Sequence, residues 1–283
     1  MSFLDKVMKQ KRRQLAGRMT SLPLSRLRAN LDGMPIRSLR RAVEGGERII
    51  AEVKKRSPRV ELFHQADLTE QLAPVYERNG ACAISVVTDQ INFGMSLFDA
   101  KQIRDQVSLP VLVKDFIFDP YQIYEARAFG ADAVLLIAKM LGREALVELI
   151  TLTRELGMCP LVEVHSADEL DLAQRAGAVI IGINNRDLDS LEVSLETTRR
   201  LIGEVQEGTI VISESGISQR EEIEELSALG VDAFLIGGAL LESDDPGALL
   251  RELVGPGQLT TPVGKNGQSA IEEEPADGDE PLC

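Results

Sequence analysis

Short, nearly continuous apolar runs alternate with longer amphipathic segments along this chain. Eight such runs recur in order, at 49–54, 82–87, 111–114, 133–138, 160–164, 179–184, 209–214 and 233–237. They are rich in β-branched residues and apolar at successive positions, as strands covered on both faces must be. The segments between them carry helix ends. Asp119-Pro120 places an N-cap before a proline at the first helical position, and Ser166-x-x-Glu169 and Ser218-x-x-Glu221 have capping-box spacing. Gly130, Gly157, Gly177 and Gly230 each stand between a helical stretch and the next strand, where a left-handed C-cap is wanted. Eight β-then-α units with short connections predict an α/β protein whose parallel sheet closes through right-handed crossovers into a (β/α)8 TIM barrel. A doubly wound open sheet is the rival, but no G-x-G-x-x-G follows the first run.

Two segments fall outside the repeat. Residues 1–47 are basic and contain one helical stretch, 3–16, which reads as an N-terminal helical extension packed on the barrel. The barrel itself is expected over 48–255. Residues 256–283 are polar, acidic and interrupted by Pro and Gly. They offer too little apolar area to offset ordering entropy and read as a disordered tail.

Charge narrows the function. With 45 Asp plus Glu against 31 Lys plus Arg, the chain lacks the cationic excess of a general nucleic-acid binder. No apolar run approaches a membrane span, and the basic N-terminus is not followed by the apolar stretch of a secretory signal, so a cytoplasmic protein is expected. Cys82, Cys159 and Cys283 are scattered and odd in number, which suits a reducing compartment, with Cys82 and Cys159 as buried core thiols. Cys283 is terminal and cannot be a CaaX cysteine.

The strand ends carry the chemistry. Glu52 and Lys54 end the first run, Lys114 the third and Lys139 follows the fourth. Glu163 lies in the fifth, Asn184 and Arg186 end the sixth, and Glu214 ends the seventh. C-terminal strand ends are where barrels of this kind build active sites. Alternation puts Glu52 with Lys54 and Ile50, Lys114 with Leu112, and Glu214 with Ile212 on single faces. If those faces point inward, cations and carboxylates converge on one mouth. Any one of them alone reads as a solvated strand end. Gly216 follows strand seven and Gly237-Gly238 follow strand eight, in the loops that cradle phosphate in this fold, with Arg186 placed to add a fixed cation. His64 and His165 are the two histidines; His165 reads as a loop residue rather than a catalyst. No metal-ligand spacing, Walker loop, G-x-S-x-G or dinucleotide fingerprint occurs, so neither metal nor cofactor is expected. These residues point to a cofactor-free barrel doing Lys/Glu acid–base work on a small phosphorylated substrate, with no nucleic-acid or membrane partner.

The segment AEVKKRSP at 51–58 resembles the first-strand E-x-K-x-x-S-P signature of the indole-3-glycerol-phosphate synthase family. ISVVTD with Phe93, LPVLVKDFI, ADAVLLIA, PLVEVHS, IGINNRDL, ISESGI and FLIGGAL follow in family order, and FLDKVMKQKRRQL resembles the family's leading helix. The resemblance implies a carboxy-lyase of tryptophan biosynthesis acting on 1-(o-carboxyphenylamino)-1-deoxyribulose 5-phosphate. It implies Lys114 as general acid on the ribulose carbonyl oxygen and Glu163 in the later proton transfer and dehydration. Lys54 becomes a second lysine near substrate anions, and Glu52, Asn184, Glu214 and Ser215 position substrate and lysines. Ser57, Phe93, Arg186, Gly216, Gly237 and Gly238 fall to substrate and phosphate binding. The chain departs from the family's S-P-S-x-G after strand one with Ser57-Pro58-Arg59-Val60-Glu61, which is expected to stiffen that loop. Met95 replaces a common glycine and Gly238 a frequent small hydroxyl residue.

Two rivals remain. A phosphoribosylanthranilate-isomerase-type barrel would want a Cys/Asp pair on strands one and seven, where this chain has Glu52/Lys54 and Glu214. A degenerate phosphate-binding homologue serving as a binding or scaffold protein would have no reason to retain Lys114 and Glu163.

Overall fold

The computed structural model describes residues 3–29, 31, 34–58, 60–63, 69–256 and 283. Eight parallel strands close in sequence order into one barrel. They are β1 (Arg48–Val53), β2 (Ala83–Val87), β3 (Val111–Lys114), β4 (Ala133–Ile137), β5 (Cys159–Val164), β6 (Ile180–Asn184), β7 (Ile210–Glu214) and β8 (Ala233–Ile236). Each lies within one residue of its apolar run. Closure is made by β1 on β8, with Ile50 opposite Leu235.

Alternation divides the core into two shells. Ile50, Leu112, Leu135, Leu161, Ile180, Ile212 and Leu235 fill the barrel interior, while Ile49, Ala51, Val53, Val111, Val113, Val162 and Ile181 pack outward against the helices. A period of two sorts each strand between these shells, because successive side chains leave a strand on opposite faces.

The helix ends follow the expected chemistry with one shift. The Asp119 carboxylate accepts from Tyr121 N at 2.9 Å, and Ser166 Oγ accepts from Glu169 N at 3.3 Å. Gly130, Gly157, Gly177 and Gly230 all have positive φ. The capping box expected at Ser218 and Glu221 sits one residue later, on Gln219 and Glu222. The Glu222 carboxylate accepts from both Ser218 N and Gln219 N. A carboxylate that collects two orphan amides outweighs the usual preference for serine at the cap.

The N-terminal segment forms α1 (Phe3–Ser21), α2 (Leu24–Ala29) and α3 (Leu39–Val43). α1 runs beyond the expected 3–16. It crosses the catalytic end of the barrel: Val7 and Leu4 join Phe116 and Phe93, and Lys11 reaches Asp89 and Asp115. α3 seals the opposite end, its Leu39 and Val43 packing in one cluster with Ile50, Ala83 and Ala233. Between them Arg37 N donates to Asp132, whose carboxylate also accepts from Val111 N.

The cysteines correct an expectation. Cys159, at the start of β5, is not a free thiol but is bonded to Cys283, with the two Cα atoms 5.2 Å apart. Spacing could not reveal the pair, because 124 residues separate the partners and only the barrel floor brings them together. Cys82 keeps its thiol, pushed up to about 12 by burial. The tail expected to be disordered lies, for 257–282, outside the described residues; its terminal Cys283 is half-buried against the barrel interior.

Candidate active site

A cavity of about 450 Å³ opens at the C-terminal ends of the strands. Its walls include Glu52, Lys54, Ser57, Phe93, Lys114, Glu163, Asn184, Arg186, Ser215, Gly216, Gly237 and Gly238. Glu214 is the one expected site residue that is not on the wall. It is fully buried behind Lys114 and reaches the cavity only through that lysine. Lys139 is drawn to the rim, where its ammonium meets Asp189 at 2.8 Å.

Lys114 is the hub. Its ammonium pairs closely with Glu214 and lies 3.6 Å from Glu163 and 3.7 Å from Glu52. The Glu52 carboxylate pairs closely with Lys54, whose ammonium sits 5.8 Å above the Phe63 ring. Two glycines make this packing sterically accessible. A Cβ on Gly182 would fall 2.1 Å from Glu214 Oε1, and one on Gly237 would fall 2.5 Å from Glu52 Oε1. Gly237 therefore gives the Glu52 carboxylate its space in addition to a backbone N–H at the rim.

The charges set one another's protonation. Burial works against Lys114's charge, yet Glu214, Glu163 and Glu52 together raise its pKa well above the ordinary lysine value. Burial pushes Glu163 up, but Lys114 and His165 outweigh it and bring it down to about 2. Glu52 is likewise lowered, burial being overcome by Lys54 and Lys114. Glu214 goes the other way, to about 7: burial dominates and the neighbouring carboxylates add to it, so the deepest acid of the cluster takes up a proton most readily.

The glycine rim follows β7 and β8, with Gly237 packed directly against Glu52. Ser215 has φ 67°, a left-handed conformation rare outside glycine, and Gly216 follows at φ 84°. A Cβ on Gly216 would meet Val193 at 2.6 Å, so both backbone and packing require glycine there. Arg186 lies on the wall; its guanidinium donates to Leu191 O at 3.2 Å and its backbone N–H to Asn184 Oδ1 at 2.9 Å. Asp187, the next residue, accepts from Asp189 N and Ser190 N. The β1 loop is pinned to the next one, with Lys55 N and Arg56 N both donating to Phe93 O. Phe93 stacks at a tilt on Phe116, ring centroids 6.4 Å apart. Met95 is buried in the core, and Arg59 lies outside the described residues.

Sequence reasoning missed Lys11 and Asp115; His165 does stand in the loop after β5 as expected, but its burial between two carboxylates was not foreseen. Lys11, almost fully buried, pairs closely with Asp115 and lies 3.5 Å from Asp89. Asp115 also lines the cavity and accepts from Thr88 Oγ1 at 3.1 Å. The available signal was Asp115 itself, a second charge directly after Lys114. For His165 it was the run Glu163-x-His165-x-x-x-Glu169, an imidazole between two carboxylates.

Fold and cavity define the class: a (β/α)8 barrel whose mouth holds a lysine among buried carboxylates, beside a glycine rim suited to an anion. The profile of the family described as Indole-3-glycerol phosphate synthase matches residues 4–253. An indole-3-glycerol phosphate synthase of Dehalococcoides mccartyi is 44% identical over 258 residues, 89% of this chain and all of that protein. One of Aquifex aeolicus is 50% identical over 212 residues, 74% of this chain and 82% of that protein. Among solved structures, 3-hexulose-6-phosphate synthase from Salmonella typhimurium superposes with a TM-score of 0.61 at 16% identity, over 73% of this chain and 96% of that one, a likeness of fold alone. The chain belongs to the indole-3-glycerol phosphate synthase family.

Proposed function

We propose that the chain is a carboxy-lyase of tryptophan biosynthesis, converting 1-(o-carboxyphenylamino)-1-deoxyribulose 5-phosphate to indole-3-glycerol phosphate, CO2 and water. The observation that carries this reading is Lys114, an ammonium on the cavity wall close to three carboxylates, Glu52, Glu163 and the buried Glu214, in a chain of this family.

Ring closure joins the carboxyl-bearing aromatic carbon to the ribulose carbonyl carbon, and the carbonyl oxygen becomes an alkoxide. Lys114 delivers the proton to that oxygen; although its carboxylates hold the proton tightly, a developing alkoxide is a far stronger base than an amine. The positive charge left on the ring draws in the electrons of the breaking C–CO2 bond, so CO2 leaves without a further electron sink. That loss restores the benzene ring. The new hydroxyl then leaves as water with a proton from a lysine ammonium of the site, Glu163 accepts the proton lost from the adjacent carbon, and the five-membered ring becomes aromatic. Lys54 faces the substrate's anionic groups, held in place by its ion pair with Glu52. Glu214 acts through Lys114, and Asn184 and Ser215 hold substrate from β6 and β7. Phe93 and Ser57 close the aromatic side. The substrate phosphate lies against the N–H groups of Gly216, Gly237 and Gly238 with Arg186 as cation. Remote binding of this kind holds the reacting carbons together.

We place the reaction in the cytoplasm, because a phosphorylated substrate does not cross an apolar bilayer unaided. Among the described residues no helix is long and apolar enough to cross a membrane.

The reading is tested by mixing the protein with the carboxyphenylamino-deoxyribulose phosphate and following indole fluorescence. The chain contains no tryptophan, so the background is low. Product fluorescence with stoichiometric CO2 release is expected; substrate binding without either supports the scaffold alternative.

A further inference from the structure

His165 stands just past β5 with its side chain almost wholly buried, yet it is not on the cavity wall. Its Nδ1 lies 3.0 Å from Glu169 Oε2, and the same carboxylate oxygen accepts from His165 N at 2.8 Å. Glu169 thus clamps both the ring and the backbone. The clamp turns Nε2 toward Glu163, 3.3 Å from Oε1, while Oε2 of Glu163 faces Lys114. Neither Nε2 nor Glu163 Oε1 has a hydrogen-bond partner among the described residues, so the two buried atoms face each other across 3.3 Å as a close pair without hydrogen-bond geometry.

A neutral imidazole carries one proton. With that proton on Nδ1 for Glu169, Nε2 would aim a lone pair at a carboxylate. With it on Nε2, the lone pair would face Glu169 instead. Only the imidazolium presents a protonated nitrogen to both carboxylates. We propose that His165 is a positioning residue for Glu163: clamped by Glu169, it presents a buried imidazolium that holds the Glu163 carboxylate ionised and oriented for proton transfer.

The surroundings agree in sign. Glu163 is faced by Lys114 from β3, Asn184 from β6 and His165 from its own strand end, with Glu52 and Glu214 as the like charges on β1 and β7. Glu169 faces His165 from the helix Ala167–Arg175, and Lys139, near Glu169, is occupied by Asp189. Burial opposes the imidazolium, but the two carboxylates raise His165 to about 10.

The role in catalysis rests on the ring-closure reading, whereas the imidazolium does not, and the experiment separates them. The enzyme is labelled with 15N-histidine, the two histidine signals are assigned with His64→Gln, and ring nitrogens are followed from pH 6 to 11. His165 is expected to show two protonated nitrogens at pH 8; a neutral ring there overturns the proposal whether or not the protein turns over. In the kinetic arm, His165→Phe and Glu169→Gln should move the acid limb of the kcat–pH profile upward. The expected shift for His165→Phe is at least about one unit, tenfold in the ionised fraction. KM should change less than about threefold. His165→Gln, which keeps a donor without the charge, should recover part of the rate but not the limb. An unmoved acid limb in Glu169→Gln and in a folded His165→Phe overturns the positioning role, while absence of turnover in the wild type tells against the function and leaves the NMR result to decide the imidazolium.

Discussion

Glu52, Glu163 and Glu214 each lose water on folding; neighbouring cations more than offset that loss at Glu52 and Glu163, but only part of it at Glu214. The arrangement has a pH signature at single residues. At pH 8 the unfolded chain leaves His165 neutral, while the folded protein keeps it charged, so the folded state binds one proton more. Stability from this group is complete below the ordinary histidine value of 6.5 and is lost as pH rises through about 10. The slope for one such group is about 1.4 kcal/mol per pH unit. Urea unfolding between pH 7 and 10 should therefore show wild-type stability falling faster than that of His165→Phe, with the gap between them closing towards pH 10. Parallel slopes would mean that His165 is neutral in the folded state. Glu214, raised to about 7, contributes in the same direction but over a lower window, from about 4.5 to 7. Glu163, lowered to about 2, has the opposite sign: its contribution is present above 4.5 and lost as pH falls towards 2.

At the scale of elements, α1 is the part of the fold that acts on the mouth from outside the repeat. Lys11 brings one buried ammonium to two buried carboxylates, Asp89 after β2 and Asp115 after β3. Lys11→Ala leaves both acids uncompensated and should lower stability by about 3–5 kcal/mol, the scale for breaking a buried pair. Adding Asp115→Asn should recover part of the loss; a single variant as stable as wild type would show that α1 is not held through this contact. The strands were legible because a period of two and two buried faces leave few other readings, and the mouth because Glu52, Lys114 and Glu214 share faces with Ile50, Leu112 and Ile212. What was not legible has one physical cause. An amphipathic pattern states that α1 buries a face, not which face of the barrel receives it. Lys11, in the run KQKRR, looks like its solvated neighbours until Asp89 and Asp115 are brought to it. The same holds for Gly182, an ordinary strand glycine in sequence, which leaves the space that Glu214 fills.

Across the whole molecule the two ends of the barrel have separate tasks. The C-terminal mouth holds the cavity, and the floor holds α3, Asp132 and the Cys159–Cys283 bond. A bond joining residues 124 apart restricts the unfolded chain strongly, and about 2–4 kcal/mol is the usual stabilisation. Thiol titration in denaturant without reductant should find one thiol, Cys82. Cys283→Ser should lower the melting temperature, with turnover unchanged because the floor is remote from the mouth. Three titratable thiols would contradict the bond. The bond also bears on location, since a reducing cytoplasm opposes its formation while the substrate's charge favours that compartment.

The central claim is that Lys114 supplies the proton for ring closure, and the Lys114→Ala variant tests it most directly. Single-turnover indole formation should fall at least about 10²-fold, the usual scale for a lost general acid, while the substrate Kd stays within a few-fold. Turnover near the wild-type rate in a variant that binds substrate normally would contradict the assignment.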